Sequence, residues 1–98
     1  MVGLGGIFVE VLQDVTFRMA PVNAYEAEEM LTELRGQKLL NGFRNIPALD
    51  RFKFGKLIQY FSHLLAEHPE IAEMDLNPLI WAPELEFPVV VDVRATFT

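Results

Sequence analysis

The chain has 98 residues, a formal net charge of -6, no cysteine and 51% hydrophobic residues. This length suits one domain, and this composition indicates a packed core and excludes a disordered tail. Without cysteine, disulfides, thiolate metal sites and a cysteine nucleophile are excluded. The acidic balance and the scattered basic residues argue against a nucleic acid partner. No apolar run is long enough to span a membrane, and the first residues do not have the pattern of a signal peptide, so we expect neither feature. We therefore expect a cytoplasmic protein.

The first predicted element is a β-hairpin. Two alternations of side chains predict two strands, and Pro21 ends the second. The first sets Ile7, Val9 and Val11 against Phe8, Glu10 and Leu12, and the second sets Val15, Phe17 and Met19 against Thr16, Arg18 and Ala20. The glycine-rich residues 3–6 resemble a phosphate-binding loop. Because neither a helix nor a Gly-Lys-Ser/Thr sequence follows them, a simple turn into the strand is the alternative.

Two amphipathic helices are predicted in the middle of the chain. Asn23, with a glutamate three residues later, is typical of a capping box that opens the first helix, and we expect Gly36 to end it. Residues 37–48 form a loop with one short helical turn, and Asp50 can cap a second helix that runs to about Glu67. The two apolar stripes comprise Ala27, Met30, Leu31 and Leu34, and Phe54, Leu57, Ile58, Phe61, Leu64 and Leu65.

Two more strands complete the predicted fold. Residues 73–77 alternate in polarity, and residues 89–96 do so again after a turn that contains Pro83 and Pro88. The order ββ-α-α-ββ predicts an α+β fold, with a mainly antiparallel four-stranded sheet and helices on one face. We expect a single domain that spans residues 1–98.

Polar side chains occupy one face of the third predicted strand. Glu73, Asp75 and Asn77 share that face because side chains alternate with a period of two. In the obvious hairpin register, Asp92 and Arg94 of the last strand lie opposite, at about 4.5 to 5.5 Å. Carboxylate and amide oxygens are ligands that Mg²⁺ accepts, so Asn77 and Asp92 are candidate metal ligands.

This polar stripe has two interpretations. On spacing alone, an ordinary solvated strand face accounts for it. Pro78, directly after Asn77, favours a functional site. Proline cannot donate to the ladder, so the strand must lie at an edge or leave the sheet where the polar residues end.

Other polar residues offer no comparable site. His63 and His68 do not have the spacing of a helical metal pair, and we interpret both as surface residues. No Ser-His-Asp arrangement is apparent. Arg18 is interpreted as the cross-strand partner of Glu10, with an anion-facing arginine as the alternative. Trp81 is expected to pack, with ligand stacking as the alternative.

Four motifs in order along the chain resemble a known family. They are GLGGIFVEVLQDV at 3–15, FRMAP at 17–21, EIAEMDLNPL at 70–79 and VDVR at 91–94. Together they resemble the C-terminal part of the ATP-grasp domain in ADP-forming acyl-CoA (acetate–CoA) synthetases, and more distantly the β chain of succinyl-CoA synthetase. The resemblance implies one lobe of an ATP-grasp fold. It also implies a parent enzyme that converts an acid, CoA and ATP to acyl-CoA, ADP and phosphate.

The resemblance also implies roles for three residues. Asn77 and Asp92 would hold Mg²⁺ against the phosphates of ATP or ADP, and Asp75 would orient a phosphohistidine as a catalytic residue. The other ATP-grasp lobe and a CoA-binding domain or subunit would be the partners. We therefore expect a fragment that is inactive alone. The alternatives are a non-catalytic binding or assembly module, with self-association, and the same lobe of a protein-acetyltransferase fusion.

Overall fold

The computed structural model describes residues 1–4, 14–42 and 47–98. Its elements are β1 (Val2–Gly3), β2 (Val15–Thr16), α1 (Ala24–Glu33), α2 (Gln37–Leu40), α3 (Arg51–Glu67), β3 (Ile71–Leu76), β4 (Leu79–Ile80), β5 (Val89–Val90) and β6 (Val93–Phe97). Strands therefore precede and follow the helices, as predicted. The predicted strand at residues 7–12 lies outside the described residues. In the described part of the chain, no helix has both the length and the apolar composition needed to cross a membrane.

Helix α1 begins at the predicted capping box. The Asn23 side chain accepts the N–H of Glu26 at 2.8 Å, and the Glu26 carboxylate accepts the N–H of Asn23 at 3.2 Å. Two N–H groups that a helix start leaves without partners are thereby satisfied. The predicted apolar face is confirmed as core, since its residues are at most 3% exposed: Ala27, Met30, Leu31 and Leu34.

The end of α1 differs from the prediction. The helix stops at Glu33, and the Gln37 side-chain amide donates to the carbonyls of Leu31 and Leu34 at 2.7 and 2.6 Å. A side chain from the next element thus satisfies carbonyls that a glycine turn would otherwise satisfy. Gly36 instead precedes α2, which is the predicted short helical turn.

Helix α3 starts and ends where the sequence predicts. The Asp50 side chain caps it by accepting the N–H of Lys53 at 3.0 Å. The buried positions of α3 are small residues, Gly55 and Ser62, while Ile58 packs against the core. The predicted apolar stripe is correspondingly less buried than expected, and Leu64 is exposed.

The described strands form three two-stranded antiparallel sheets, which pair β1 with β2, β3 with β6 and β4 with β5. The last two are parts of one long hairpin, because main-chain bonds continue between them. The N–H of Asn77 donates to the carbonyl of Asp92 at 3.1 Å, and the N–H of Val91 donates to that of Pro78 at 3.0 Å. A single four-stranded sheet is not confirmed in these residues, and the predicted 7–12 strand lies outside them.

Trp81 connects this hairpin to α3 and to the segment that precedes it. Its indole N–H donates to the carbonyl of Ala48 at 2.7 Å, and its ring meets the Phe54 ring edge-on at 6.4 Å between centroids. The ammonium of Lys53 lies 5.7 Å from the centroid of Trp81 and equally far from that of Phe87. The expected packing role of Trp81 is confirmed, and the hairpin has a defined anchor on the helix.

Candidate metal site

The two strands of the hairpin bring the predicted polar residues onto one face. Asp75 and Arg94 are directly opposed across the β3–β6 ladder. The next pair on that face is Asn77 and Asp92, which the main-chain bond from the Asn77 N–H joins at 3.1 Å. Opposed residues of an antiparallel pair point to the same side, so all four side chains share a surface. Glu73, predicted on this face, pairs with Thr96 in the same continuous register, and an irregularity follows only between Glu73 and Ile71.

This polar face is open to solvent. Asp75 and Asn77 are exposed, the Asp92 side chain is 54% exposed and that of Arg94 is 84% exposed. The other face of β3 carries half-buried apolar side chains, Met74 and Leu76. The strand therefore has one apolar and one accessible polar side, and a dissolved ligand can reach the polar one.

The oxygen donors on this face fit a divalent cation that is shared with another ligand. Asn77 offers an amide oxygen and Asp92 a carboxylate, and hard cations such as Mg²⁺ prefer oxygen ligands of these kinds. Among residues 1–4, 14–42 and 47–98, no three acidic or histidine side chains lie close enough to hold a metal ion. A cage of protein ligands alone is thus not formed by those residues. Two protein donors suit Mg²⁺, which usually completes its octahedron with phosphate oxygens and water.

Arg94 adds a positive charge beside these donors. Its Nε lies 3.6 Å from a carboxylate oxygen of Asp92, two residues earlier on the same strand. Exposed ion pairs of this kind contribute only about 0 to 1 kcal/mol, so the pair restrains Asp92 weakly. The sequence predicts Arg94 on this face without indicating a role for it, although its two-residue spacing from Asp92 is a signal that the two side chains can meet.

The glycine-rich start has a structural explanation at the position that is described. Gly3 lies in β1, opposite Val15, and a Cβ at Gly3 would come within 2.6 Å of the Val15 Cγ1. Glycine is therefore required there by the close approach of the strands. At that position this favours an entry into the strand over a phosphate-binding loop. Gly5 and Gly6 lie outside the described residues.

The remaining candidates are surface residues or ion pairs. His63 is exposed, and His68 lies at the end of α3 with its Nδ1 3.0 Å from the Glu70 carboxylate, so the surface interpretation is confirmed. The predicted partner of Arg18, Glu10, lies outside the described residues. Among the described residues, Arg18 donates to the Glu33 carboxylate at 2.6 Å. This bond, with help from the hydroxyl of Thr16, lowers the pKa of Glu33 to about 2.

Comparison with known proteins adds a family match and several relatives. The ATP-grasp domain family matches residues 1–97. An ADP-forming 4-hydroxybutyrate–CoA ligase from Nitrosopumilus maritimus is 43% identical over 94 residues, which are 96% of this chain and 14% of that protein. The β subunit of an ADP-forming acetate–CoA ligase I from Pyrococcus furiosus is 42% identical over 94 residues, 96% of this chain and 40% of the subunit. The chain therefore spans less than half of each relative.

Solved structures show the same fold. An acetyl-coenzyme A synthetase from Ca. Korarchaeum cryptofilum matches with a TM-score of 0.88 and 42% identity, over 98% of this chain and 44% of that one. That synthetase was solved with coenzyme A and Mg-AMPPCP, and its phosphohistidine segment points towards the nucleotide binding site. Its apo form matches with a TM-score of 0.91. The combination of helices and antiparallel strands in this chain therefore occurs in a known fold.

Proposed function

The chain belongs to the ATP-grasp domain family, and from that membership we propose that it supplies the magnesium and nucleotide half-site of an ADP-forming acyl-CoA synthetase. The observation that carries the proposal is the main-chain bond between Asn77 and Asp92, 3.1 Å long, which places an amide and a carboxylate side by side on an accessible face. The parent reaction joins an acid to CoA while ATP is converted to ADP and phosphate.

Three polar residues of the hairpin have a part in this site. Asn77 offers its amide oxygen and Asp92 its carboxylate to Mg²⁺, which when bound neutralises phosphate charge. Asp75 lies two residues before Asn77 and opposite Arg94, at the edge of the donor pair. A carboxylate at that position can hydrogen-bond and orient an imidazole brought in by another part of the enzyme. Asp75 is therefore assigned the catalytic positioning of a phosphohistidine.

Other parts of the enzyme must complete the site. The chain covers 40% of the Pyrococcus furiosus β subunit and 14% of the Nitrosopumilus maritimus ligase. Phosphoryl transfer depends on clamping the nucleotide and neutralising its charge from several sides, which two strand residues do not achieve alone. We expect the first ATP-grasp lobe and a CoA-binding domain or subunit as partners, and no turnover of acetate, CoA and ATP by this chain alone.

The acid is selected outside this chain. The Nitrosopumilus maritimus relative acts on 4-hydroxybutyrate and the Pyrococcus furiosus one on acetate, yet the two are 43% and 42% identical to this chain. A relative named for trans-feruloyl-CoA synthesis is still 36% identical. Enzymes named for different acids thus share this region to a similar degree, which fits a role in nucleotide chemistry common to all of them.

Calorimetric titration of the 98-residue chain with Mg·ADP tests the half-site. The wild-type chain should bind, and Asn77→Ala or Asp92→Ala should weaken binding by about tenfold or more, since each removes one metal ligand. Glu84→Ala is the matched control, because it removes an exposed acidic residue of the hairpin turn away from the donor pair. Absence of binding to the wild-type chain, or equal affinity of all variants, would contradict the proposal.

A second candidate function is a non-catalytic binding or assembly module. Apolar side chains on the β5 and β6 side of the hairpin favour it, since they are between 44% and 64% exposed: Val89, Val91, Val93 and Phe97. Sedimentation velocity distinguishes the two functions. A stable oligomer of a chain that does not bind Mg·ADP would support the module, whereas a monomer that binds Mg·ADP would support the half-site.

A further inference from the structure

We propose that Arg94 is a phosphate-binding residue of this site. It contacts Asp92 in the absence of a ligand, and it would contact the nucleotide phosphates once Asp92 binds a divalent cation. The inference rests on the proposed function, and it adds a recognition element for the anionic ligand to the metal donors. Three features of the hairpin support it: the position of Arg94, the charge balance of the face and the weakness of its ion pair.

Arg94 lies next to the donor pair, Asn77 and Asp92, on the same face of the hairpin. It is directly opposite Asp75 in the β3–β6 register, and its Nε lies 3.6 Å from Asp92. With 84% of the side chain exposed, most of the guanidinium is in solvent on the same face as Asn77. A planar guanidinium with two outward edges is suited to bidentate contact with phosphate oxygens.

The charge balance of the face requires a cation beside the metal. Glu73, Asp75 and Asp92 place three carboxylates on the face that a nucleotide phosphate would approach, and like charges repel one another. A divalent cation shared by Asp92 offsets part of this repulsion. Arg94 supplies a further positive charge on that face, whereas Arg18 and Arg51 pair with Glu33 and Glu28 elsewhere in the chain.

The ion pair with Asp92 is easily exchanged. Its 3.6 Å separation is longer than a hydrogen bond, and both side chains are more than half exposed. Exposed pairs are screened by water and salt, so a divalent cation can displace the guanidinium from the carboxylate at little cost. Arg94 would then be free to donate to nucleotide phosphates that approach the same face.

Two titrations of the 98-residue chain separate this role from a structural one. Mn²⁺ alone reports on the metal donors, and Mg·ADP reports on the donors and the phosphates together. For Arg94→Gln we expect Mg·ADP to bind about tenfold or more weakly, the loss of a charge-assisted hydrogen bond, while Mn²⁺ alone binds as tightly as before or more tightly. Arg94→Lys should recover part of the Mg·ADP affinity, because it restores the charge without the planar fork.

Arg35→Gln is the matched control, since it removes an exposed arginine that lies outside the hairpin. Unchanged Mg·ADP affinity in Arg94→Gln would overturn this inference and leave the half-site intact. Equal weakening of Mn²⁺ and Mg·ADP would also overturn it, because Arg94 would then only position Asp92. A wild-type chain that binds neither probe would overturn the proposed function, and this inference with it.

Discussion

The buried carboxylate of Asp14 accepts the backbone N–H of Gly36 at 2.8 Å, 22 positions further along the chain. Its other oxygen accepts the N–H of Arg35 at 2.7 Å, and the residue is only 3% exposed. One side chain thereby joins the start of β2 to the turn between α1 and α2. The N–H groups it satisfies belong to a turn that has no sheet partner for them.

Removal of this carboxylate should destabilise the whole domain. For Asp14→Ala we expect the free energy of unfolding to fall by about 2 to 3 kcal/mol, because two partly buried N–H groups lose a charged acceptor. Asp14→Asn keeps one acceptor oxygen and should lose less. Urea denaturation followed by circular dichroism measures both. Asp50→Ala is the comparison, with about 1 kcal/mol expected from the loss of a helix cap; an Asp14→Ala loss no larger than that would contradict the prediction.

The pair between Arg18 and Glu33 should make stability depend on acid pH. The pKa of Glu33 falls from 4.5 to about 2, first because Arg18 donates to its carboxylate and then because the Thr16 hydroxyl does. The unfolded chain therefore takes up this proton near pH 4.5, before the folded chain does. Stability from Glu33 is complete above about pH 4.5 and is lost as the pH falls towards 2.

Glu33→Gln should remove that component. Its urea midpoint should lie below that of the wild type at pH 7, and the difference should narrow as the pH falls from 4.5 to 2. Glu29→Gln is the matched control, because Glu29 is 3.9 Å from the Arg18 guanidinium and makes the weaker contact. A difference that stays constant over this pH range would rule out the proposed linkage.

The hydroxyl of Ser62 serves a buried backbone group. It accepts the N–H of Val22 at 3.0 Å and donates to the carbonyl of Gln59 at 2.8 Å, and Ser62 is only 7% exposed. Ser62→Ala leaves the Val22 N–H without its acceptor and should cost about 1 to 2 kcal/mol of unfolding free energy. Thr32→Ala, at an exposed residue of α1, should change stability by much less. Thermal unfolding of the two variants measures the contrast, and equal shifts would refute it.

The anchor at Trp81 should control opening of the hairpin. Trp81→Phe removes the hydrogen bond to Ala48, and we expect the amide protons of Asn77 and Val91 to exchange roughly three- to tenfold faster, the equivalent of one lost hydrogen bond. Hydrogen exchange by NMR measures these rates. Lys53→Met removes the cation over the Trp81 ring but keeps the hydrogen bond to Ala48, so it should accelerate exchange less. Unchanged exchange rates in Trp81→Phe would show that the hairpin hydrogen bonds do not depend on the bond between Trp81 and Ala48.

Helix starts were predictable because their signals are local. The side chains of Asn23 and Asp50 each bond a backbone N–H three residues later, so a short stretch of sequence contains the whole interaction. The end of α1 was not predictable in this way. Gln37 reaches back over the turn to carbonyls of α1, and nothing in the pattern around Gly36 distinguishes that contact from a glycine cap.

The burial of α3 was predicted less well than its length. Periodicity identifies an apolar stripe, but the partner helix decides which side of the stripe is covered, and here the covered residues are Gly55 and Ser62. The candidate site was predicted in part from the sequence. Alternation and Pro78 indicate which side chains share a face, while the opposition of Asp75 to Arg94 depends on a register that the structure supplies.

The bond between the Asn77 N–H and the Asp92 carbonyl belongs entirely to the main chain. Substitutions along the hairpin can therefore alter the chemistry at these two positions without changing the spacing between them, provided that the ladder still forms. A designer who wished to change the preferred ion could exchange the amide for a carboxylate, or the carboxylate for an imidazole, on an unaltered backbone frame. In this hairpin the backbone sets the positions of the two ligands, and the side chains set their chemistry independently.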